Sequence, residues 1–287
     1  MTHLNDAQIG SRKAINMNTD KYQYIVERSK ENVREFRSGL QSIILAPPRK
    51  GNIVMFHLGR SGSTVLARML SDHRKIFWVG EIYNLPIRFG KYTTTNPILR
   101  LDKKMRFVPN EFFGFEVKPF HLELLGISLA QFVDALRCRD FSHFVLLERR
   151  NYLRKIISSV ILHQYGKRHE NSASPTLTKV FLNIDCIEID RQRKTLLGFL
   201  EKFDKDIKEV KRACERDTLL EIVYEDHIFG DPFVGYKRMC DFLSLTPEQT
   251  SIRISKTNPF PIHEMVINFE EVEKTLRGTA YEWMVYA

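Results

Sequence analysis

The chain has 287 residues, 43% of them hydrophobic and 28% charged, a balance that fits a folded domain with a sizeable core and excludes a disordered chain. Lys and Arg outnumber Asp and Glu to give a formal charge of +9, which favours anionic ligands without choosing among nucleic acid, an anionic surface and a small phosphorylated molecule. Cys138, Cys186, Cys214 and Cys240 have no paired spacing, so neither a disulfide framework nor a Cys-rich zinc site is expected.

In chain order, the polar start "MTHLNDAQIGSRKAINMNTD" is no signal peptide, and residues 1–20 are expected to form a loose or docking arm. "KYQYIVERSKENVREFRSGLQS" spaces Tyr22, Val26, Val33, Phe36 and Leu40 as an amphipathic helix would. "GNIVMFHLG" reads as a buried strand and Ser63 to His73 as a helix, with Val65, Leu66, Met69 and Leu70 along its inner side. Core strands are expected in "FGFEVKPF" (113–120), "HFVLLERR" (143–150) and "TLLEIVYED" (218–226). Helices are expected in "NYLRKIISSVILHQY" and around "RKTLLGFLEKFDKDIKEVKRACE". Residues 84–110 and 166–178 read as long irregular stretches of the kind that form lids or binding loops. The alternation predicts an α/β fold, a three-layer, P-loop-like domain over residues 1–287 with a central, mostly parallel sheet flanked by helices. No apolar run approaches the roughly 20 residues of a membrane helix, so a soluble cytoplasmic protein is expected.

"FHLGRSGSTVLARML", residues 56–70, joins the first strand to its helix through a turn suited to an anion. Gly59 and Gly62 let the backbone approach closely, and the helix start aims amide groups and positive potential at the same point. Ser61, Ser63 and Thr64 add hydroxyl donors, Arg60 adds charge, and the lysine of a nucleotide triphosphatase loop is missing. A second anion site is suggested by "LLERRNYLRKIISSV", where Arg150 closes a strand and Ser158 follows on the next helix.

In these two motifs the sequence resembles the sulfotransferases that use 3′-phosphoadenosine 5′-phosphosulfate (PAPS). "GRSGSTVLARML" is similar to their 5′-phosphosulfate loop and "RRNYLRKIIS" to their 3′-phosphate motif. "IVYEDHIFGDP" and "NFEEVEKTLRGTAYEWM" resemble later segments of bacterial carbohydrate and small-molecule members. The resemblance is to the carbohydrate- and tyrosine-type branch more than to the cytosolic steroid and phenol type, whose loop carries a lysine where Arg60 stands. It implies that Arg60, Ser61, Gly62, Ser63 and Thr64 hold the 5′ end of PAPS, while Arg150 and Ser158 hold its 3′-phosphate. The implied product is adenosine 3′,5′-bisphosphate, the sulfated acceptor a small molecule or carbohydrate, and no metal, nucleic acid or membrane segment is expected.

Transfer to a hydroxyl needs a base. Glu81, in "RKIFWVGEIYN", stands at a distance from Arg60 that resembles the catalytic glutamate of that branch. His121, in "VKPFHL", is the rival base, and Lys118 is a candidate for steering donor or acceptor. Two other functions fit part of the pattern: a small-molecule kinase with a P-loop-like phosphate site, which would need Mg²⁺, and a non-enzymatic basic nucleic-acid-binding or scaffold protein.

Overall fold

The computed structural model describes residues 49–106, 108, 110–166, 176–250 and 259–287, together with Lys30 and Val33, which are helical. The expected arm over 1–20, most of the helix expected over 22–40 and residues 167–175 lie outside the described residues.

The chain runs β1 (Gly51–His57), α1 (Ser63–Asp72), β2 (Ile76–Glu81), α2 (Asn84–Arg88), α3 (Pro97–Met105), β3 (Phe112–Val117), α4 (Pro119–Leu124), α5 (Leu129–Arg137), β4 (Phe141–Glu148) and α6 (Tyr152–Tyr165). There follow β5 (Ile187–Ile189), β6 (Gln192–Lys194), α7 (Leu196–Ala213), β7 (Leu219–Val223), α8 (Tyr224–His227), α9 (Pro232–Phe242), α10 (Ile262–Met265) and α11 (Phe269–Leu276). Five parallel strands form one sheet in the order β2-β3-β1-β4-β7, and β5 and β6 form a separate antiparallel hairpin. Among the described residues no helix is long and apolar enough to cross a membrane.

The central strands are mostly apolar because both faces of the sheet are covered. Along β1, Ile53 and Met55 join Leu66, Met69 and Leu70 of α1 and Tyr236, Met239 and Cys240 of α9 on one face. Val54 and Phe56 pack on the other, against Leu153, Ile156 and Ile157 of α6 and Leu196, Phe199 and Phe203 of α7. This is the three-layer α/β arrangement expected from the alternation of strands and helices.

The region 84–110 departs from the expected irregular loop, since it carries α2, α3 and a short 3-10 turn. Asn96 starts α3 by accepting the amides of Ile98 and Leu99 through its side chain, with Pro97 next in the position where a missing N–H costs nothing.

The helix after β1 passes to one face of the sheet and the helix after β4 to the other. Neighbouring strands whose connections diverge in this way leave a crevice at their carboxyl ends, where α/β proteins bind ligands. Here the crevice is walled by residues 58–62 and 149–151.

Candidate functional site

The loop after β1 takes positive φ angles at Gly59 (80°), Arg60 (57°) and Gly62 (82°). At Gly62 glycine is also demanded by packing, since a Cβ there would stand 2.6 Å from Ile228 Cγ2. Gly62 begins α1 with no side-chain cap and no acidic residue in the first turn, so the positive end of a ten-residue helix faces the crevice uncompensated. The Ser61 hydroxyl is buried there and has no hydrogen-bond partner among the described residues.

The two walls of the crevice are tied together. Arg149 Nη1 donates to the Arg60 carbonyl at 2.9 Å, and Arg60 Nε donates to Ser158 Oγ on α6 at 2.8 Å. The Arg149 guanidinium lies 4.5 Å over the Tyr224 ring, and its Nε is buried without a hydrogen-bond partner among the described residues. Arg150 points elsewhere: its half-exposed guanidinium pairs with Asp226, and its amide donates to Glu225 Oε2 at 3.0 Å. Thus Ser158 meets Arg60, while Arg150 is engaged on the surface.

The carboxyl ends of β1, β2 and β3 bring His57, Glu81, Glu116 and Lys118 together. Glu81 pairs with Glu116 in the strand register. Lys118 Nζ donates to Glu81 Oε2 at 2.8 Å, and His121 Nε2 lies 3.9 Å from the same oxygen. Burial alone would raise the Glu81 carboxyl, but Lys118, followed by His57 and His121, outweighs it and holds the group at about 2. Burial opposes the Lys118 ammonium, yet Glu81, Asp190 and Glu116 together keep it above its ordinary value. Burial, then the charge of Lys118, pushes the His121 imidazole well below its usual range, so it is neutral. Its Nδ1 accepts the Lys118 amide, which leaves the proton on Nε2 facing Glu81. The Lys118 side chain also reaches the anion loop: a Cβ built on Gly59 would lie 3.6 Å from Nζ.

His57 Nδ1 accepts the Gly59 amide at 3.1 Å, and Nε2 lies 3.2 Å from Glu116 Oε2 without hydrogen-bond alignment. Glu116 Oε1 accepts the Trp78 indole N–H at 3.1 Å. One ligand atom from each of His57, Glu81 and Glu116 lies within 4.8 Å of the other two, a donor set able to take a divalent cation. Neither His57 nor Glu116 is among the site residues expected from the sequence, although a His and a Glu inside mostly apolar strands are themselves a signal. Nor are Arg149 and Lys155. A larger cleft, of about 490 Å³, lies away from all these groups between α5 and α7, lined by Asp134, Arg137, Glu209 and Arg212 among others.

No family model matches the chain, and no curated protein matches it. A solved structure similar to it is the unliganded structure of a sugar kinase from Janibacter sp. HTCC2649, with 12% identity, 70% of this chain and 97% of that chain covered, and a TM-score of 0.35. So slight a likeness carries no function across to this chain.

These findings correct the family expectation. The chain is not assigned to the PAPS-dependent sulfotransferases, because no family model matches it. Sulfuryl transfer, PAPS and adenosine 3′,5′-bisphosphate are withdrawn with it. The physical reason is that glycines, hydroxyls and a helix start suit any phosphate-binding turn, so the loop motif is less specific than the resemblance required. The expectation of no metal is corrected as well, since His57, Glu81 and Glu116 converge into a possible ligand set.

Proposed function

We propose that the chain is a group-transfer enzyme that seats a phosphate-bearing donor on residues 58–64 and delivers a group to an acceptor hydroxyl activated by Glu81. The observation that carries this reading is the buried Ser61 hydroxyl, without a hydrogen-bond partner among the described residues, at the uncapped start of α1. A buried hydroxyl without a partner costs free energy, and an oxyanion in the crevice would satisfy it together with the first amides of the helix. In this reading Arg60, Ser61, Gly62, Ser63 and Thr64 hold the donor. Ser158 acts through Arg60, and Arg150 contributes only by leaving Asp226.

Phosphoryl transfer, as in a small-molecule kinase, is the form that the His57, Glu81 and Glu116 cluster favours, because a divalent cation there would offset the donor's charge. Lys118, approaching Gly59 from outside the loop, stands in for the lysine that the loop lacks. While Lys118 holds Glu81 at about 2, the carboxylate is a weak base. A donor anion that draws Lys118 away would restore the carboxylate's basicity, so proton abstraction waits on a filled donor site. Neutral His121 orients Glu81 in this scheme. The acceptor is proposed to be a small molecule or carbohydrate, and the setting a reducing, cytoplasmic one, in keeping with four free thiols.

The test pairs calorimetry with ³¹P NMR. ATP with Mn²⁺ or Mg²⁺ should bind, Ser61→Ala should weaken it about 10- to 100-fold as expected for loss of a hydrogen bond to a charged group, and a panel of polyols, sugars and hydroxy acids should yield a phosphate ester. Binding that Ser61→Ala leaves unchanged would remove the loop from the site. Tight binding with no phosphorylated product across the panel would reject phosphoryl transfer.

A further inference from the structure

Lys155 lies on the core side of α6, between Leu153 and Ile156, with 1% of its surface exposed. An ammonium this deep is costly unless it is both paired and hydrogen-bonded. Its Nζ sits 4.0 Å over the Phe203 ring of α7, and the carboxylate beside it, Asp190 Oδ2, is 3.7 Å away, beyond hydrogen-bonding reach. Lys118 and Arg60 oppose its charge, whereas Asp190 and Asp206 favour it. Asp206 is already taken by Lys202 at 3.0 Å. Asp190 also faces a small cavity lined by Lys118, whose charge it supports.

Asp190 does not belong to the core. It forms the tip of the β5–β6 hairpin, where Asp190 and Arg191 both take positive φ (55° and 63°), and its side chain is 30% exposed. The hairpin strands pair with each other and stand apart from the main sheet. That small cavity, of about 10 Å³, is lined by Lys118, Asp190, Phe203 and Asp206 among others. Removing the Asp190 carboxylate would widen it beside Lys118 and open it toward Lys155 Nζ, which lies 3.7 Å from Asp190 Oδ2.

We infer that Lys155 and Lys118 form a binding site for a carboxylate, and that the Asp190 side chain is its internal occupant, displaced when the acceptor's own carboxylate docks. The acceptor class is then a hydroxy acid: its carboxylate goes to the two lysines and its hydroxyl toward Glu81, which Lys118 already touches. Naming the ligand an acceptor rests on the transfer reading above; the carboxylate site does not, and it can be measured without turnover.

Asp190→Gly empties the site without straining the turn, because glycine adopts a φ near 55° freely. In about 100 mM acetate, against chloride at equal ionic strength, the melting temperature of Asp190→Gly should rise by about 2–4 °C, and that of the wild type by much less. Adding Lys155→Met should abolish the rise. An equal rise in wild type and Asp190→Gly, or one that survives Lys155→Met, overturns the site. A second measurement avoids the double variant: bromide soaked into crystals of Asp190→Gly should give an anomalous peak beside Lys155 Nζ, and a map without one there overturns the inference equally. If acetate binds as expected while no hydroxy acid is phosphorylated, the transfer reading falls and the carboxylate site stands.

Discussion

Replacing Lys155 by Met should change how stability depends on pH, in a direction and amount that follow from the burial of its ammonium. Burial, opposed by Asp190 and reinforced by Lys118 and Arg60, pulls Lys155 from 10.5 down to about 8. The groups around it are Asp190 from the hairpin, Asp206 from α7, Lys118 at the start of α4 and Arg60 from the loop. An unfolded chain keeps this proton until pH approaches 10.5, whereas the folded chain releases it near 8. Between those values the unfolded state binds more protons, so this group makes the protein more stable as pH rises. Its full contribution is roughly 3 kcal/mol, of which about 2 kcal/mol should appear between about pH 7 and pH 9.5. Methionine fills a similar volume and does not titrate, so the difference between the two proteins isolates the term. Urea unfolding at several pH values in this window should show the wild type gaining about 2 kcal/mol on Lys155→Met. A difference that stays constant within about 0.5 kcal/mol across the window would mean that Lys155 does not titrate as a buried group.

Two further substitutions test the packing around the site. Gly114→Ala puts a Cβ 2.2 Å from Trp78 Cε3, so the indole must move; thermal unfolding should show a loss of about 1–3 kcal/mol or more, and an unchanged midpoint would mean that the strand and the indole are not packed as described. Arg150→Ala should cost only about 0–1 kcal/mol, because its pair with Asp226 is half exposed, whereas Arg149→Met should cost about 1–3 kcal/mol by freeing the Arg60 carbonyl and ending the contact with Tyr224; urea titrations that rank them in reverse would refute the assignment of the two arginines.

What the sequence made legible was decided by burial. Gly51–His57 and Phe141–Glu148 are apolar runs because the sheet is covered on both faces, and such runs bounded by glycine or charge are easy to read. The turn at Gly59–Gly62 was legible for a related reason: its glycines have no use inside a strand or helix. The β5–β6 hairpin was not legible. Its strands are three residues long, Gln192, Arg193 and Lys194 make one of them polar, and Asp190 and Arg191 hold a left-handed turn where Asn-Gly would have announced one. The Asn96-Pro97 start of α3 was present in the sequence as a capping pair, but the stretch was weighed as a loop. At the site, Glu81, Lys118 and His121 were each chosen from the sequence, yet nothing in their spacing says that Lys118 binds Glu81. That contact depends on β2 and β3 ending side by side, which is a property of strand order. The family resemblance failed at the same level, since a short anion-binding turn records the chemistry of phosphate and not the group that is moved.

The close fit of Trp78 over Gly114 has an optical consequence. The chain contains two tryptophans, of which Trp283 is 47% exposed and Trp78 only 6%. A collisional quencher such as iodide can silence the first and leave the second emitting. Because the Trp78 indole donates to Glu116, whose carboxylate also faces His57, the surviving emission is a gauge of that carboxylate's electron density. A cation or proton that draws on Glu116 would weaken the indole's hydrogen bond and shift its spectrum. The protein thus carries an intrinsic, label-free reporter wired to the centre of its candidate site.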